Sequence, residues 1–269
     1  MINKENFALN RIISPNLSFN HFIKLVKKTK LQNIEIRNDL LTNKIENENL
    51  RYIKEITSKN KIEIISINAL QKFNIWNKDR EKELLFLCKY AKKIGCKGIV
   101  LVPLNTGEYT EYRLRNKILI IALKQIEIII NDFGLIGYIE PLGFKTSSLR
   151  LKSEVAKAIN SLPKKSNLMI LHDTFHHYLS QEKEIYSELT GLVHISGVDK
   201  KIKKKEMKDD DRVLINENDI IGNLEQIDKL ISEGYKKIFS LEPFSKKIQN
   251  ISNPSSEIIE SVDYLLKNI

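Results

Sequence analysis

The sequence has little cysteine and no long hydrophobic run. Its 269 residues include two cysteines, Cys88 and Cys96, and neither belongs to a CxxC pair, so a disulfide framework and a zinc knuckle are both excluded. The most apolar stretch, residues 118–130, contains two charged side chains and a glutamine, and it is too short and too polar to cross a bilayer. The N-terminus shows no apolar segment typical of a secretory signal. We therefore expect a reduced, cytoplasmic protein with no membrane partner.

The glycine-rich motifs that bind nucleotide phosphates are missing as well. No GxGxxG follows the first strand-like run, and no GxxxxGK followed by Ser or Thr occurs anywhere. Both absences disfavour a nucleotide-binding doubly wound sheet.

The net charge of +10 raises the question of a polyanionic partner. Lysine is spread along the whole chain, and its densest run, residues 200–208, is followed at once by three aspartates at 209–211. We interpret the charge as a compositional bias and expect no nucleic-acid partner.

Eight short β-branched runs alternate with helical patterns. Most of the runs are nearly continuous apolar segments, which is typical of parallel strands covered on both faces. The predicted strands are 7–10, 33–37, 62–69, 98–104, 134–142, 167–173, 192–198 and 238–244. Helices are predicted over 18–30, 78–94, 113–131, 151–161, 222–233 and 255–267, with shorter and weaker patterns at 46–58 and 180–189.

This alternation predicts an α/β fold, specifically a single (β/α)8 barrel that spans residues 1–269 as one domain. The length and the 42% hydrophobic content are sufficient for one such core. A doubly wound open sheet is the alternative, and the count of eight strands favours closure.

Two glutamates mark the ends of predicted strands. Strand 5 ends in Glu140-Pro141 and strand 8 in Glu242-Pro243. Because proline has no N–H for a central ladder, each pair marks the end of its strand. Both glutamates should therefore lie at the C-terminal rim, where barrel active sites are found.

Strands 6 and 7 add Asp173 and His194 at the same rim. Taken singly, each of the four residues could be a cap, a salt-bridge partner or a satisfied core residue. Together they place one donor on each of four consecutive strands, which predicts one mononuclear metal site. Three carboxylates and one imidazole suit Mn²⁺, Mg²⁺ or Co²⁺ and tolerate Zn²⁺, and an ion would remove the cost of burying the carboxylates.

Several polar residues near these strand ends are candidates for substrate binding. His176 follows Asp173 by three residues, in a predicted loop over the site, and either hydrogen-bonds a substrate oxygen or is an ordinary loop residue. The segment 66–77 supplies Asn68, Gln71 and Trp76, a mixture of amides and an aromatic ring that a polyol pocket needs. An ordinary βα loop is the alternative for this segment.

Two arginines are further candidates. Arg37 ends strand 2, and Arg212 follows the charged loop after strand 7. Each is predicted either to clamp the substrate or to form a structural salt bridge.

With these residues in place, the whole sequence resembles the xylose isomerase-like barrels, and within them most resembles the 2-keto-myo-inositol isomerase (inosose isomerase) group. The resemblance implies a carbohydrate enzyme, with inositol catabolism as its setting, that acts on a sugar or polyol; the oligomeric state stays open, a homo-oligomer included. The segments that carry it are IEIRNDL at 34–40, ISINALQKFNIWN at 65–77, IEPLGF at 139–144, SSLR at 147–150, LHDTFHH at 171–177, GLVHISGV at 191–198 and LEPF at 241–244.

The resemblance also implies a mechanism. The metal would polarise a carbonyl and an adjacent hydroxyl of a ketose or inosose, and a carboxylate would remove the proton on the carbon between them, giving an enediolate. Glu140 and Glu242 would be ligands that double as base and acid, Asp173 and His194 would hold the metal, and His176 would orient the substrate oxygens.

Two other functions stay open. The same superfamily includes apurinic (AP) endonuclease-like DNA repair nucleases, which need three zinc ions and additional histidines. This chain has five histidines and offers Arg37 and Asn68 at the ends of strands 2 and 3, so a trinuclear site is disfavoured. A non-catalytic barrel is disfavoured by the complete ligand set. Since no phosphate-binding loop follows strands 7 and 8, an unphosphorylated polyol is favoured as substrate.

Overall fold

The structure is a computed structural model that describes residues 2–41, 43, 45, 48–163 and 166–269. Eight parallel strands close into a barrel in chain order, as predicted. The strands are β1 (Phe7–Asn10), β2 (Asn33–Arg37), β3 (Glu63–Gln71), β4 (Gly98–Val102), β5 (Ile136–Ile139), β6 (Leu168–Asp173), β7 (Thr190–Ile195) and β8 (Ile238–Leu241).

Helices surround this barrel. They are α1 (Phe19–Thr29), α2 (Leu50–Lys59), α3 (Lys78–Ile94), α4 (Tyr112–Asp132), α5 (Lys152–Asn160), α6 (Thr174–Ser180), α7 (Asn223–Ser232), α8 (Lys246–Gln249) and α9 (Ser255–Asn268). The short α8 was not predicted. The predicted start of the second helix at residues 46 and 47 lies outside the described residues, and α2 begins after Asn49, whose side chain accepts from Tyr52 N. No helix in the described ranges combines the length and the apolarity needed to cross a membrane.

The predicted helix at 180–189 is wrong. The helix after β6 begins directly at Thr174 and ends at Ser180, and only a short 3-10 turn follows at Ser187–Leu189. The reason is a cap: Asp173 Oδ1 accepts a hydrogen bond from His176 N at 2.9 Å, which satisfies an otherwise unpaired N–H and lets the helix start at the end of the strand.

The strands alternate between two environments, and this alternation positions the site. Outward side chains join a large core beneath the helices, whereas inward ones form a smaller apolar cluster on the barrel axis that includes Ala8, Val100, Tyr138, Leu171 and Leu192. Filling of a barrel by side-chain layers is expected for this fold. Toward the C-terminal ends of the strands the inward residues become polar, so the apolar layer forms the floor of a polar chamber.

Candidate functional site

The four predicted ligands meet at the C-terminal end of the barrel. Asp173 on β6 and His194 on β7 lie opposite each other in the strand register. Glu140 and Glu242 directly follow β5 and β8. All four are buried, and each offers a ligand atom such that the four atoms lie within 4.8 Å of one another. The described residues contain one group of this kind.

His194 is at the centre of this group. Its Nδ1 lies 3.0 Å from Glu242 Oε2 and 3.3 Å from Glu140 Oε1. Burial lowers the pKa of the imidazole, but the carboxylates of Glu242 and Glu35 raise it, and the net result is a pKa well above the ordinary value. The ring is therefore held by negative charge on both sides.

Two arginines bind the same carboxylates. Arg212 Nη2 donates to Asp173 Oδ2 at 2.6 Å and to Glu242 Oε2 at 2.9 Å, and Arg37 Nη1 donates to Glu242 Oε1 at 2.9 Å. Burial raises the pKa of Glu242, but His194 and the two guanidinium groups lower it, and the net shift is strongly downward. Arg37 also forms a bidentate pair with Asp39, so both arginines have structural ion pairs.

The charges of this chamber fit a divalent cation. Its buried carboxylates, Glu35 and the three acidic candidate ligands, outnumber its two guanidinium groups, so the chamber keeps an excess of negative charge whether or not the imidazole is protonated. Burial raises the pKa of Glu140, and the nearby Glu242 and Asp173 carboxylates raise it further, against the lowering by His194. One doubly charged ion would relieve this repulsion, and the oxygen-rich donor set suits a hard ion.

A cavity of about 330 Å³ opens above the ligands. Glu140 and Glu242 line it, while Asp173 and His194 do not. Five of the predicted substrate residues are also in its wall: Arg37, Asn68, Gln71, His176 and Arg212. Trp76 is not; it packs, half-buried, against the outer core, so its position does not support a substrate contact.

The comparisons with known proteins agree with this geometry. The sequence profile described as the xylose isomerase-like TIM barrel matches residues 23–268. The chain belongs to the xylose isomerase-like TIM barrel family. No curated protein sequence matches the chain.

Solved structures of similar proteins cover the whole barrel. A xylose isomerase domain-containing protein from Salmonella typhimurium LT2 (stm4435) is 29% identical with a TM-score of 0.86, covering 100% of this chain and 97% of that one. The IolI protein with a bound zinc atom is 20% identical with a TM-score of 0.84, covering 98% and 99%. D-psicose 3-epimerase with D-tagatose, from Clostridium cellulolyticum H10, is 13% identical with a TM-score of 0.74, also covering 98% and 99%. An epimerase and a protein with a xylose isomerase domain are thus among the structural neighbours of this xylose isomerase-like barrel.

The sequence predicted His176 in a loop, but the structure places it on α6. Its ring is buried between Phe144, with ring centroids 5.1 Å apart, and Phe175, at 5.4 Å. Its Nδ1 has no hydrogen-bond partner among the described residues, while the ring borders the cavity. This placement brings the imidazole ring to the edge of the cavity; its contact with a substrate stays a prediction.

Sequence reasoning missed Glu35 and the polar residues around it. Glu35 is fully buried in β2, between Ile34 and Ile36, which face the outer core. The signal was available: in a strand covered on both faces, two outward isoleucines force the residue between them into the barrel. A carboxylate there requires partners, and Asn10, Ser66 and Ser240 provide hydrogen bonds from three other strands.

The outward face of β6 carries a second buried polar group. His172 is fully buried; its Nδ1 accepts from Lys152 Nζ at 2.8 Å, and its Nε2 donates to Gln226 Oε1 at 3.0 Å. Gln226 in turn donates to the carbonyls of Thr174 and Ile221. This group joins α5, β6 and α7 behind the ligand Asp173. Burial lowers the pKa of Lys152 to about 7.

Because Lys152 is buried, we expect the free energy of unfolding to depend on pH in the alkaline range. Below about pH 7, Lys152 is protonated in the folded and unfolded states alike, and the folded state bears the cost of the buried charge. From about pH 7 to the ordinary lysine pKa of about 10.4 the unfolded state binds more protons, so stability rises with pH. Relative to Lys152→Met, the free energy of unfolding of the wild type should increase with a slope of up to about 1.4 kcal/mol per pH unit.

Urea unfolding of both proteins at several pH values across this window measures the effect. Lys157→Met, which replaces an exposed lysine of the same helix, is the matched control. A difference between wild type and Lys152→Met that is constant or falls with pH would contradict the prediction.

Proposed function

We propose that this protein is a divalent metal-dependent isomerase or epimerase of an unphosphorylated sugar or polyol, with an inosose such as 2-keto-myo-inositol as the favoured substrate. The observation that carries the proposal is that two of the four candidate ligands line the cavity and the other two do not. Two glutamates from β5 and β8 reach the cavity, while Asp173 and His194 do not. Two carboxylates at one cavity are what a reaction with one proton removal and one proton return requires.

The proposed roles follow from this division. Glu242 accepts the proton from the carbon between the carbonyl and hydroxyl groups, and the electrons of the broken C–H bond form the enediolate. Glu140 then returns a proton. In an isomerisation this proton goes to the neighbouring carbon, while the hydroxyl proton moves to the former carbonyl oxygen; in an epimerisation it goes to the opposite face of the same carbon. Glu140, Asp173, His194 and Glu242 would hold the ion, which would supply positive charge to stabilise the developing oxyanion; Mn²⁺, Mg²⁺, Co²⁺ and Zn²⁺ are the candidates.

The cavity walls favour a polyol. Amide and hydroxyl groups are contributed by Asn68, Gln71, Asn105 and Thr106, and apolar surface by Phe144 and Phe244, among others. A volume of about 330 Å³ is at the small end of the range for ligand pockets and suits a six-carbon ring. The epimerase solved with D-tagatose supports an unphosphorylated substrate class. Inositol catabolism in the cytoplasm is the setting that this proposal implies.

Proton exchange provides the direct test. The metal-loaded protein is incubated in deuterated water with a panel of inososes and ketohexoses, and proton NMR follows the signal of the hydrogen next to the carbonyl. We expect this signal to disappear for at least one inosose. Absence of exchange across the panel, together with strand cleavage of abasic duplex DNA, would instead support the nuclease alternative.

His176 is expected to contact the substrate and not the metal. Four candidate ligands are already present, and the His176 ring, whose Nδ1 has no hydrogen-bond partner among the described residues, borders the cavity. A well-aimed hydrogen-bond donor to a developing oxyanion contributes about 2.7–4 kcal/mol, so His176→Ala should lower kcat/KM by roughly two orders of magnitude with metal content unchanged. Metal analysis and kinetics on one preparation check this. His21→Ala, at an exposed histidine of α1, is the control, and loss of metal together with activity would make His176 a ligand.

A further inference from the structure

A fully buried carboxylate adjoins the candidate ligands without belonging to them. Glu35, in the middle of β2, has no exposed surface. An isolated carboxylate in such a place would be very costly to bury. Five side chains from four strands hydrogen-bond it: Asn10 Nδ2 at 3.2 Å, Ser66 Oγ at 2.5 Å, Asn68 Nδ2 at 2.9 Å, Ser240 Oγ, and His194 Nε2 at 3.1 Å.

The two ring nitrogens of His194 face different groups. Nε2 lies 3.0 Å from Glu35 Oε1 and 3.1 Å from Oε2, so a proton on Nε2 would point between the two carboxylate oxygens. Nδ1, on the other side of the ring, lies 3.0 Å from Glu242 and 3.3 Å from Glu140. Only Nδ1 therefore faces the other ligands.

We propose that Glu35 is a positioning residue for the metal centre, because it accepts the Nε2 proton of His194 and thereby holds the ring in the tautomer whose unprotonated Nδ1 faces the ion. The inference rests on the proposed metal site. A metal-ligating histidine generally donates its second ring N–H to a carboxylate or carbonyl, which fixes the orientation and raises the basicity of the ligand nitrogen.

Glu35 can perform this role because it is itself immobilised. Ser66 and Ser240 bind its two oxygens from opposite sides of the strand, on β3 and β8. Asn10 Nδ2 donates both to Glu35 Oε1 and to Glu242 Oε1 at 3.1 Å. The orientation of His194 is thus coupled to the position of a second ligand through one amide group.

Metal affinity tests the proposal without reference to turnover. Dissociation constants for Zn²⁺ and Co²⁺ are measured by competition with a chelator for the wild type and for Glu35→Gln. Loss of a partner in the outer shell of a metal site typically weakens affinity about 10- to 100-fold, and we expect a change of that size. Glu63→Gln is the matched control, because it replaces an exposed carboxylate of the neighbouring β3 with an amide and leaves the contact between Glu35 and His194; it should leave the affinity at the wild-type level.

The tautomer of His194 gives a readout that a purely structural role would not change. In the zinc-loaded protein with ¹⁵N-labelled histidine, long-range ¹H–¹⁵N spectra should show His194 protonated at Nε2 only, with its signals assigned by their absence in His194→Gln. Glu35→Gln should shift or broaden the Nε2–H signal. If Glu35→Gln does not fold, Glu35→Asp replaces it, since a side chain shorter by one methylene also loses reach to Nε2.

The outcomes separate this inference from the metal site itself. A wild type that binds no divalent ion would overturn both. A wild type that binds the ion, with unchanged affinity and an unchanged Nε2–H signal in the folded Glu35 variant, would overturn only the role of Glu35.

Discussion

Glu242→Gln is expected to lose roughly three orders of magnitude in turnover while the barrel stays folded. General acid–base catalysis contributes typically about 10²- to 10⁴-fold, and an amide cannot accept the α-proton. The fold should survive because both arginines keep other partners: Arg212 retains Asp173 and Arg37 retains its bidentate pair with Asp39. The rate of hydrogen exchange next to the carbonyl, measured beside thermal stability and metal content, checks the prediction.

A matched substitution controls for the loss of a negative charge. Glu260→Gln removes an exposed carboxylate on α9 and should leave the exchange rate at the wild-type level. Activity close to that of the wild type in Glu242→Gln with the metal bound would show that another group accepts the proton.

Removal of the metal should abolish activity altogether. Protein purified without chelator is expected to contain about one divalent ion per chain, since four ligands surround one position. Dialysis against a strong chelator should eliminate proton exchange, and one equivalent of the correct ion should restore it. The bound ion should also raise the unfolding free energy, by about 2.7 kcal/mol at a free metal concentration one hundred times Kd, which a rise in Tm would report.

Asp173→Asn is the variant matched to this experiment. Asparagine caps a helix about as well as aspartate, so α6 should still begin at Thr174, while the charge that would bind the ion is lost. We expect this variant to fold and to bind the metal much more weakly. Three zinc ions per wild-type chain would contradict the mononuclear site and favour the nuclease.

Predictions from the sequence are more accurate for features that depend on neighbouring residues than for features that depend on contacts between distant parts of the chain. The bounds of β1 and β2 agree with the structure to the residue, because the pattern of apolar and polar side chains over a few positions is local. The helix predicted at 180–189 failed because a single capping carboxylate moved the start of α6 to the end of the strand. The extent of the domain, residues 1–269, stays a prediction.

The barrel and the four candidate ligands at the ends of β5 to β8 could be predicted from the amino-acid sequence alone. The strand pattern and the proline after each glutamate can be recognised within a few neighbouring residues. Closure of the parallel sheet in chain order then brings the ends of consecutive strands together. Only the tertiary structure decided which residues reach the cavity, that Trp76 lies apart from it, and that Glu35 contacts His194 across 159 positions of the chain. The physical reason is that a hydrogen bond depends on the side chain's direction across the barrel axis, which strand register and neighbouring side chains fix together and no local pattern encodes.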